Sequence, residues 1–500
     1  MIIPITINRP VFFALLLLIS LSFSNCSAQR TVSRPDGFSI NENYRGVNYT
    51  EDLTACPQVK LKQAGNQKLS KFSTLIIQSS PWPKSLEYPL VYVNKRLSEL
   101  NKLDSNAKSL SIVFEKITMK NAEQFKTGLK DFQKQALYIL SLEENKVSVK
   151  STTEEGANYG LASLLCLLEQ DSVRTIQIID WPDINKRLLQ INLKDMNPRL
   201  VTLAIESAWR QRYNGLLLSI TNSVKFNALG KHPRKTAMMP SDFKRLVNYA
   251  RSLHLEVVPH LNLLSHQNAE LLQYEVDSTL FYNYQTLNPQ NGKVYTILFN
   301  LIDEIDSLID PHAIHIGHDE VLGFKKEHIE KYGPILPPNL FLLSVRRLHN
   351  YLSNKNIETQ MWGDMLLHQQ DFPNTHPTGV NAPDSYRGII DSIHTTITIT
   401  DWHYLDYKWR IKKGPIQFEP TKRFLEKGHK VFCATYKWDY FNVEYARFVS
   451  EQSNENLEGM IATTWHELLN GSVYKKHDSY RGFYKIMQES ANIFWNASTY

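Results

Sequence analysis

Beyond residue 180 the chain settles into a regular beat. Short apolar runs are each followed by a longer stretch of helical spacing. Arg187–Leu193, Gly215–Thr221, Glu256–Asn262, Ala313–Ile316, Thr359–Trp362, Thr396–Asp401, Lys430–Ala434 and Glu458–Thr464 read as strands. Ser241–Leu253, Val294–Ile309, Leu340–Leu352 and Asn442–Ser453 repeat apolar residues on one helical face, and Tyr480–Trp495 reads as a closing helix. Ser241 and Asp242 offer N-cap chemistry to the first of these. Alternation on this scale from residue 181 to 500 predicts an α/β fold, a (β/α)8 TIM barrel.

Residues 29–180 have a different texture. Phe72–Gln78, Ser111–Phe114, Leu137–Leu142 and Lys146–Lys150 are short β-type runs, and the charged turn Glu143-Glu144-Asn145 makes the last two a hairpin. Asn158–Glu169 carries a helical pattern. A small N-terminal α/β supporting domain is predicted, without an acidic cluster suited to catalysis. Trp181-Pro182-Asp183 marks the change of rhythm and the boundary.

Residues 1–28 read as an export signal. Arg9 precedes the apolar run Val11–Leu21, which is followed by small and polar residues. The run is short for a membrane span. Cleavage after Ala28 is one route; lipidation of Cys26, as in a lipoprotein attached to a membrane, is the other, although Phe23-Ser24-Asn25 is a poor lipobox. A buried N-terminal helix is the plain alternative. Export implies a periplasmic, outer-membrane or secreted location.

Composition narrows the class. The 500 residues are 42% apolar and 21% charged, which is globular. The net charge of +6 is dispersed, and Lys225, Lys231, Arg234 and Lys235 form only a loose cluster, so no nucleic-acid footprint is expected. Cys56, Cys166 and Cys433 are an odd, widely spaced set that predicts no disulfide framework. Cys166 and Cys433 read as buried small hydrophobes. No CxxC or HExxH pattern occurs, so no metal and no cofactor is expected.

A barrel places its chemistry where strands end at the carboxyl face. Residues there are Asn222, Asn262 with His266, His318-Asp319-Glu320, Trp362 with Asp364, Trp402 with Tyr404 and Asp406, Tyr436, and Trp465 with Glu467. Aromatic faces stack on sugar C–H surfaces, and carboxylates accept hydrogen bonds from hydroxyls. The sharpest feature is His315-Ile316-Gly317-His318-Asp319-Glu320. Adjacent acids repel one another's charge, so one stays ionised while the other tends to hold its proton. A solvated pair capping the next helix is the bland alternative. Shared metal binding by His315, His318 and Asp319 is disfavoured, because alternate side chains on a strand point apart.

HIGHDE resembles the His-x-Gly-x-Asp-Glu signature of glycoside hydrolase family 20, the β-N-acetylhexosaminidases. The resemblance extends over most of the chain. Gly156–Leu168 is similar to the end of the family's small N-terminal domain, and Arg187 matches the Arg opening its first barrel strand. His266 matches the His after strand three and Trp362 the strand-five Trp. Tyr404-Leu405-Asp406 matches a Tyr-x-Asp element and Trp465-His466-Glu467 a Trp-x-Glu element. The family often has a second Gly where His318 stands, and usually Asp where Asn192 and Asn222 stand.

The resemblance implies an exo-acting hydrolase that releases terminal β-linked N-acetylhexosamine from a glycan, with the substrate's own acetamide as nucleophile. It assigns Glu320 as acid and base, Asp319 as partner of the acetamide N–H and Tyr404 as donor to its oxygen. Trp362, Trp402 and Trp465 are expected to wall the sugar. Arg187, Asp406 and Glu467 are expected to bind its hydroxyls, and His266 to support the acid. Each has a plainer role open to it: an ion pair for Arg187, a satisfied loop histidine for His266, core packing for the tryptophans, a surface pair for Tyr404 and Asp406, a helix N-terminal acid for Glu467. Asn192 and Asn222 keep open an inactive glycan-binding barrel, and a glycosidase acting on sugars without an acetamide is a further alternative.

Overall fold

The computed structural model describes residues 56–499, except 103, 195, 232, 273–274, 322–328, 332, 374–378, 405–416, 437–439 and 466–477, together with residues 32–33 and 39–40. The chain divides into two compact units, residues 1–49 and 50–500. In the first, β1 (Val32–Ser33) pairs antiparallel with β2 (Ser39–Ile40). The export signal expected over 1–28, with Cys26, lies outside the described residues.

The second unit begins with a six-stranded sheet built from β3 (Leu61–Lys68), β4 (Phe72–Ser79), β5 (Lys108–Lys116), β6 (Tyr138–Leu142), β7 (Lys146–Ser151) and β8 (Arg174–Asp180). Their spatial order is β3-β8-β6-β7-β5-β4. The expected hairpin is β6–β7, paired antiparallel from Tyr138↔Ser151 to Leu142↔Val147. β3 and β8 were not expected. β3 is an exposed edge strand whose side chains show no apolar alternation, which is why its pattern is silent. The helix Glu154–Leu168 starts at Thr153, whose hydroxyl accepts from the Gly156 N–H, and it is buried along most of its length.

Cys56 and Cys166 form a disulfide with a Cα–Cα distance of 6.4 Å, correcting the expectation of no disulfide. It staples the segment leading into β3 to that helix, while Cys433 is buried and free. A separation of 110 residues leaves no local spacing signal for such a pair.

The barrel follows. Its strands are β9 (Lys186–Asn192), β10 (Gly215–Ser219), β11 (Glu256–His260), β14 (Ala313–His315), β15 (Glu358–Trp362), β16 (Thr398–Trp402), β17 (Val431–Tyr436) and β18 (Leu457–Thr463). They close as one parallel ring, with β18 returning to β9. A short antiparallel pair, β12 (Phe281–Asn283) and β13 (Thr286–Leu287), sits in the loop after β11. Leu188, Leu217, Val258, Ala313, Trp362, Phe432 and Ile461 fill the interior. Helices Pro198–Arg210 and Glu419–Glu426 add to those expected. The helix assigned to Ser241 and Asp242 in fact opens at Pro240 behind Met239, using a proline at its first turn rather than a side-chain cap.

Sheet and barrel share a polar seam. The Asp180 carboxylate, at the end of β8, accepts from Arg212 at 2.7 Å, Tyr138 at 2.9 Å and the Trp495 indole at 2.9 Å. Asp180 and Arg212 are both buried, and a buried charge persists only when paired and hydrogen-bonded this fully. The sheet is thus integral to the unit that carries the barrel.

Closing a long loop removes unfolded-state entropy, worth roughly 2–4 kcal/mol. Cys166→Ser, or reduction by dithiothreitol, is therefore expected to lower the urea unfolding free energy by about that amount. Unchanged midpoints with and without reductant would contradict the bridge.

Candidate active site at the carboxyl end of the barrel

A cavity of about 440 Å³ opens at the carboxyl end of the barrel, lined by residues from almost every strand end. β9, β10 and β11 contribute Asn192, Ser219 and His260; the loop after β11 adds Asn262, His266 and Glu270. Asp319 and Glu320 follow β14, and Trp402, Tyr404, Tyr436 and Trp465 complete the wall. Of the expected site residues, the structure thus brings together Asp319, Glu320, His266, Trp402, Tyr404 and Trp465. Asp406 and Glu467 lie outside the described residues.

Two expectations are corrected. Arg187 does not reach the cavity. β9 begins at Lys186, so Arg187 stands at the opposite end of the barrel, and its neighbour Leu188 takes the inward position. Its guanidinium donates to the carbonyls of Ile184, Asn185 and Arg212 and to the Tyr159 hydroxyl. It is also packed 5.1 Å from the ring centres of Tyr159 and Trp495. Trp362 is fully buried beneath the cavity rather than in its wall. Its indole N–H donates to His260 Nε2 at 3.2 Å and its ring lies 5.5 Å from that of Trp465, so it holds the floor and one wall in place.

The acids are aimed by an unusual backbone. Gly317, His318 and Glu320 have φ of 76°, 73° and 43°, and His266 and Trp465, on facing loops, have 60° and 40°. Such conformations cost energy in residues with a Cβ and collect at functional sites. A Cβ on Gly317 would come within 2.4 Å of Asn262 Oδ1, so only glycine fits. His318 occupies a position where the family often has glycine. It turns away from the cavity, with Nδ1 donating to the Ile316 carbonyl at 3.0 Å and Nε2 at 3.1 Å from Ser344 Oγ. Those bonds offset its backbone strain. Asp364, left without a role by the sequence, accepts the Glu320 backbone N–H at 3.0 Å and the Asn381 amide at 3.0 Å.

Charge is partitioned unevenly across the pair. His266 Nε2 lies 3.3 Å from Asp319 Oδ2 and 3.9 Å from Glu320 Oε2. Burial disfavours a charged imidazole, but the Asp319 carboxylate, its hydrogen bond and the further acids Glu320 and Glu270 outweigh burial and lift His266 to about 9. Burial alone would raise Asp319; the His266 charge and hydrogen bond reverse this and hold it below the ordinary carboxylate range. Burial and the Asp319 charge push Glu320 above that range. At neutral pH the pair is thus one fixed anion and one group biased towards keeping its proton. The second oxygen of Asp319, Oδ1, is buried and has no hydrogen-bond partner among the described residues. Burial raises Tyr404, which keeps its phenolic proton, and the Trp465 indole donates to its oxygen at 3.1 Å.

Ser219, His260 and Glu270 were missed. The strands end two residues earlier than expected, at Ser219 and His260, so these terminal residues form the floor and Asn222 does not line the cavity. Burial pushes Glu270 up to about 7.

Similarity to known proteins agrees with this geometry. A model of the glycosyl hydrolase family 20 catalytic domain matches residues 197–495. Beta-hexosaminidase B of Pseudoalteromonas piscicida is 23% identical over 369 residues, covering 57% of this chain and 47% of its own. A probable beta-hexosaminidase of Arthroderma benhamiae is 24% identical over 273 residues, covering 45% and 44%. The chain thus spans about half the length of these curated relatives. Among solved structures, Flavobacterium johnsoniae chitobiase superposes with a TM-score of 0.64 at 18% identity, covering 89% of this chain and 69% of its own. The β-N-acetylhexosaminidase of Bacteroides fragilis gives 0.58 at 15%, covering 88% and 90%. At such identities these two show a shared fold.

The His266–Asp319 pair predicts a pH dependence of stability. A histidine raised from 6.5 to about 9 on folding contributes stability that is complete below pH 6.5 and is lost as pH rises through 9. The melting-temperature gap between wild type and His266→Gln should therefore shrink between pH 6.5 and 10. A gap that stays constant would show that the pair is not ionic.

Proposed function

Because the chain belongs to glycosyl hydrolase family 20, whose catalytic-domain model covers residues 197–495, we propose that it is an exo-acting β-N-acetylhexosaminidase that uses its substrate's acetamide as the nucleophile. One observation carries this reading: Asp319 and Glu320 leave the same strand end and line the same cavity, with Tyr404 and the Trp402 and Trp465 rings around them. Neighbouring acids on one strand end are poorly placed to attack opposite faces of an anomeric carbon. A retaining mechanism with a protein nucleophile needs that opposition, and substrate assistance does not.

In the first step Glu320 gives its proton to the glycosidic oxygen as the bond to the anomeric carbon breaks. The acetamide carbonyl oxygen forms a bond to that carbon, and the positive charge passes to the oxazolinium ring. Asp319 accepts the acetamide N–H through Oδ1, which is buried and has no partner among the described residues, and stabilises the new charge. Tyr404 donates to the acetamide oxygen and so aims it. The Trp402 and Trp465 rings shut out water and pack the methyl group. Water then attacks the anomeric carbon, giving its proton to the Glu320 carboxylate, and the ring opens to the product sugar with retained configuration. The substrate class is a glycan ending in β-linked N-acetylhexosamine.

Export through residues 1–28 is part of the proposal. The Cys56–Cys166 disulfide supports it, since such bridges persist in oxidising compartments. The mass of the mature N-terminus would separate cleavage after Ala28 from a lipidated Cys26; an uncleaved chain would contradict export by either route.

The direct test compares nitrophenyl β-glycosides of N-acetylglucosamine, N-acetylgalactosamine and glucose. Turnover of acetamido sugars only is expected. Equal turnover of the glucoside would indicate a conventional glycosidase, and binding without turnover a glycan-binding barrel. Asp319→Asn is expected to lower kcat by about a hundredfold or more in a protein that still folds, with a melting temperature lowered only as far as that of His266→Gln, which loses the same pair. An unimpaired variant would remove Asp319 from the mechanism. The pH–rate profile should fall on the alkaline side as Glu320 loses its proton, at a pH above the ordinary carboxylate range. On the acid side it should fall only below that range, where Asp319 protonates.

A further inference from the structure

The cavity floor holds a hydroxyl whose proton direction is fixed by its neighbours. Asn192, Ser219 and His260 are register partners at the ends of β9, β10 and β11, and all three line the cavity. Beneath them Gln190 is oriented without ambiguity. Its side-chain oxygen accepts the backbone N–H groups of Thr464 at 3.0 Å and Trp465 at 3.1 Å, so its amide nitrogen is the end that reaches Ser219 Oγ at 3.0 Å. Ser219 Oγ accepts that bond.

His260 is fixed in the same way. The Trp362 indole can only donate, so His260 Nε2, 3.2 Å away, must accept. Burial pushes His260 down to about 4, so the ring is neutral and its one proton sits on Nδ1. Nδ1 lies 2.7 Å from Ser219 Oγ and donates to it. Ser219 Oγ thus receives two hydrogen bonds, and its own O–H can be spent on neither donor. The remaining donor direction belongs to a residue that lines the cavity and is 3% exposed.

We infer that Ser219 is a substrate-binding residue whose hydroxyl donates a hydrogen bond to a hydroxyl oxygen of the terminal sugar ring. The inference rests on the sugar-cleaving function proposed above and deepens it. In the barrel order β10 stands diametrically across from β16, the strand that carries Trp402 and leads to Tyr404. The acetamide is claimed by Asp319 and Tyr404, and the glycosidic oxygen by Glu320. The opposite side of the floor is left to the ring's hydroxyls. With Arg187 held at the far end of the barrel, Ser219 takes a share of that recognition through a neutral donor, locked in place by Gln190, His260 and Trp362.

The test is a coupling measurement. Wild type and Ser219→Ala are assayed on nitrophenyl β-N-acetylglucosaminide and on its 3-, 4- and 6-deoxy analogues. The alanine variant is expected to lose about tenfold in kcat/KM on the parent substrate, the size of one neutral hydrogen bond, and to lose little on the one analogue that lacks the bonded hydroxyl. A purely structural role for Ser219 would lower all four rates by the same factor, and that result would overturn the inference. If Ser219→Ala does not fold, Ser219→Cys, which keeps the shape and a weaker donor, carries the same comparison. If wild type cleaves none of these glycosides, the proposed catalysis fails while Ser219 remains testable. The same comparison is then made on the dissociation constants of N-acetylglucosamine and its deoxy forms. Selective coupling there supports Ser219, and uniform loss or no binding overturns it.

Discussion

The contact between His266 and Asp319 organises this cleft. Two adjacent carboxyl groups, one buried and one half-exposed in the same cavity, would otherwise compete for protons, and neither would hold a definite state. A cationic imidazole 3.3 Å from Asp319 breaks the symmetry. It holds one acid ionised and, through that anion, biases its neighbour towards the protonated form. In the proposed mechanism, the division of labour between acid and stabiliser follows from where that one ring nitrogen sits.

That placement draws on distant parts of the chain. Left-handed backbone at His266, Gly317, His318, Glu320 and Trp465 turns the loops inward, and each such residue needs neighbours that over-determine it. Asp364 grips the Glu320 N–H, Ser344 meets the His318 ring, and Gln190 takes the N–H groups that lead into Trp465. Below them Trp362 and His260 lock the floor. At the other end of the barrel Arg187, Arg212, Asp180 and Trp495 tie the strands to the small sheet. The strain at the mouth is carried by a ring of strands braced from beneath.

Much of this was legible in the residues. The alternation beyond residue 180 marks all eight barrel strands, because each strand is apolar and buried. The HIGHDE run locates the acids, and the barrel rule locates the rim. What stayed hidden depended on direction. Arg187 and Leu188 are neighbours, and only the start of β9 decides which of them faces the interior. Ser219 and His260 were obscured because β10 and β11 stop two residues short of where their apolar runs stop. Trp362 matches a family tryptophan, yet its depth is set by packing against His260 and Trp465, which no spacing encodes. The Cys56–Cys166 bridge joins residues far apart in the chain, and β3 is an edge strand without periodicity.

In the proposed mechanism the substrate's amide, and no protein group, attacks the anomeric carbon beside Asp319 and Glu320. Rates on nitrophenyl glucosaminides bearing acetyl, monofluoroacetyl, difluoroacetyl and trifluoroacetyl groups test it most directly. Each fluorine withdraws electrons from the carbonyl oxygen and weakens it as a nucleophile, so kcat should fall steeply along the series. Rates that stay level across the four substrates would contradict the claim and point to a nucleophile supplied by the protein.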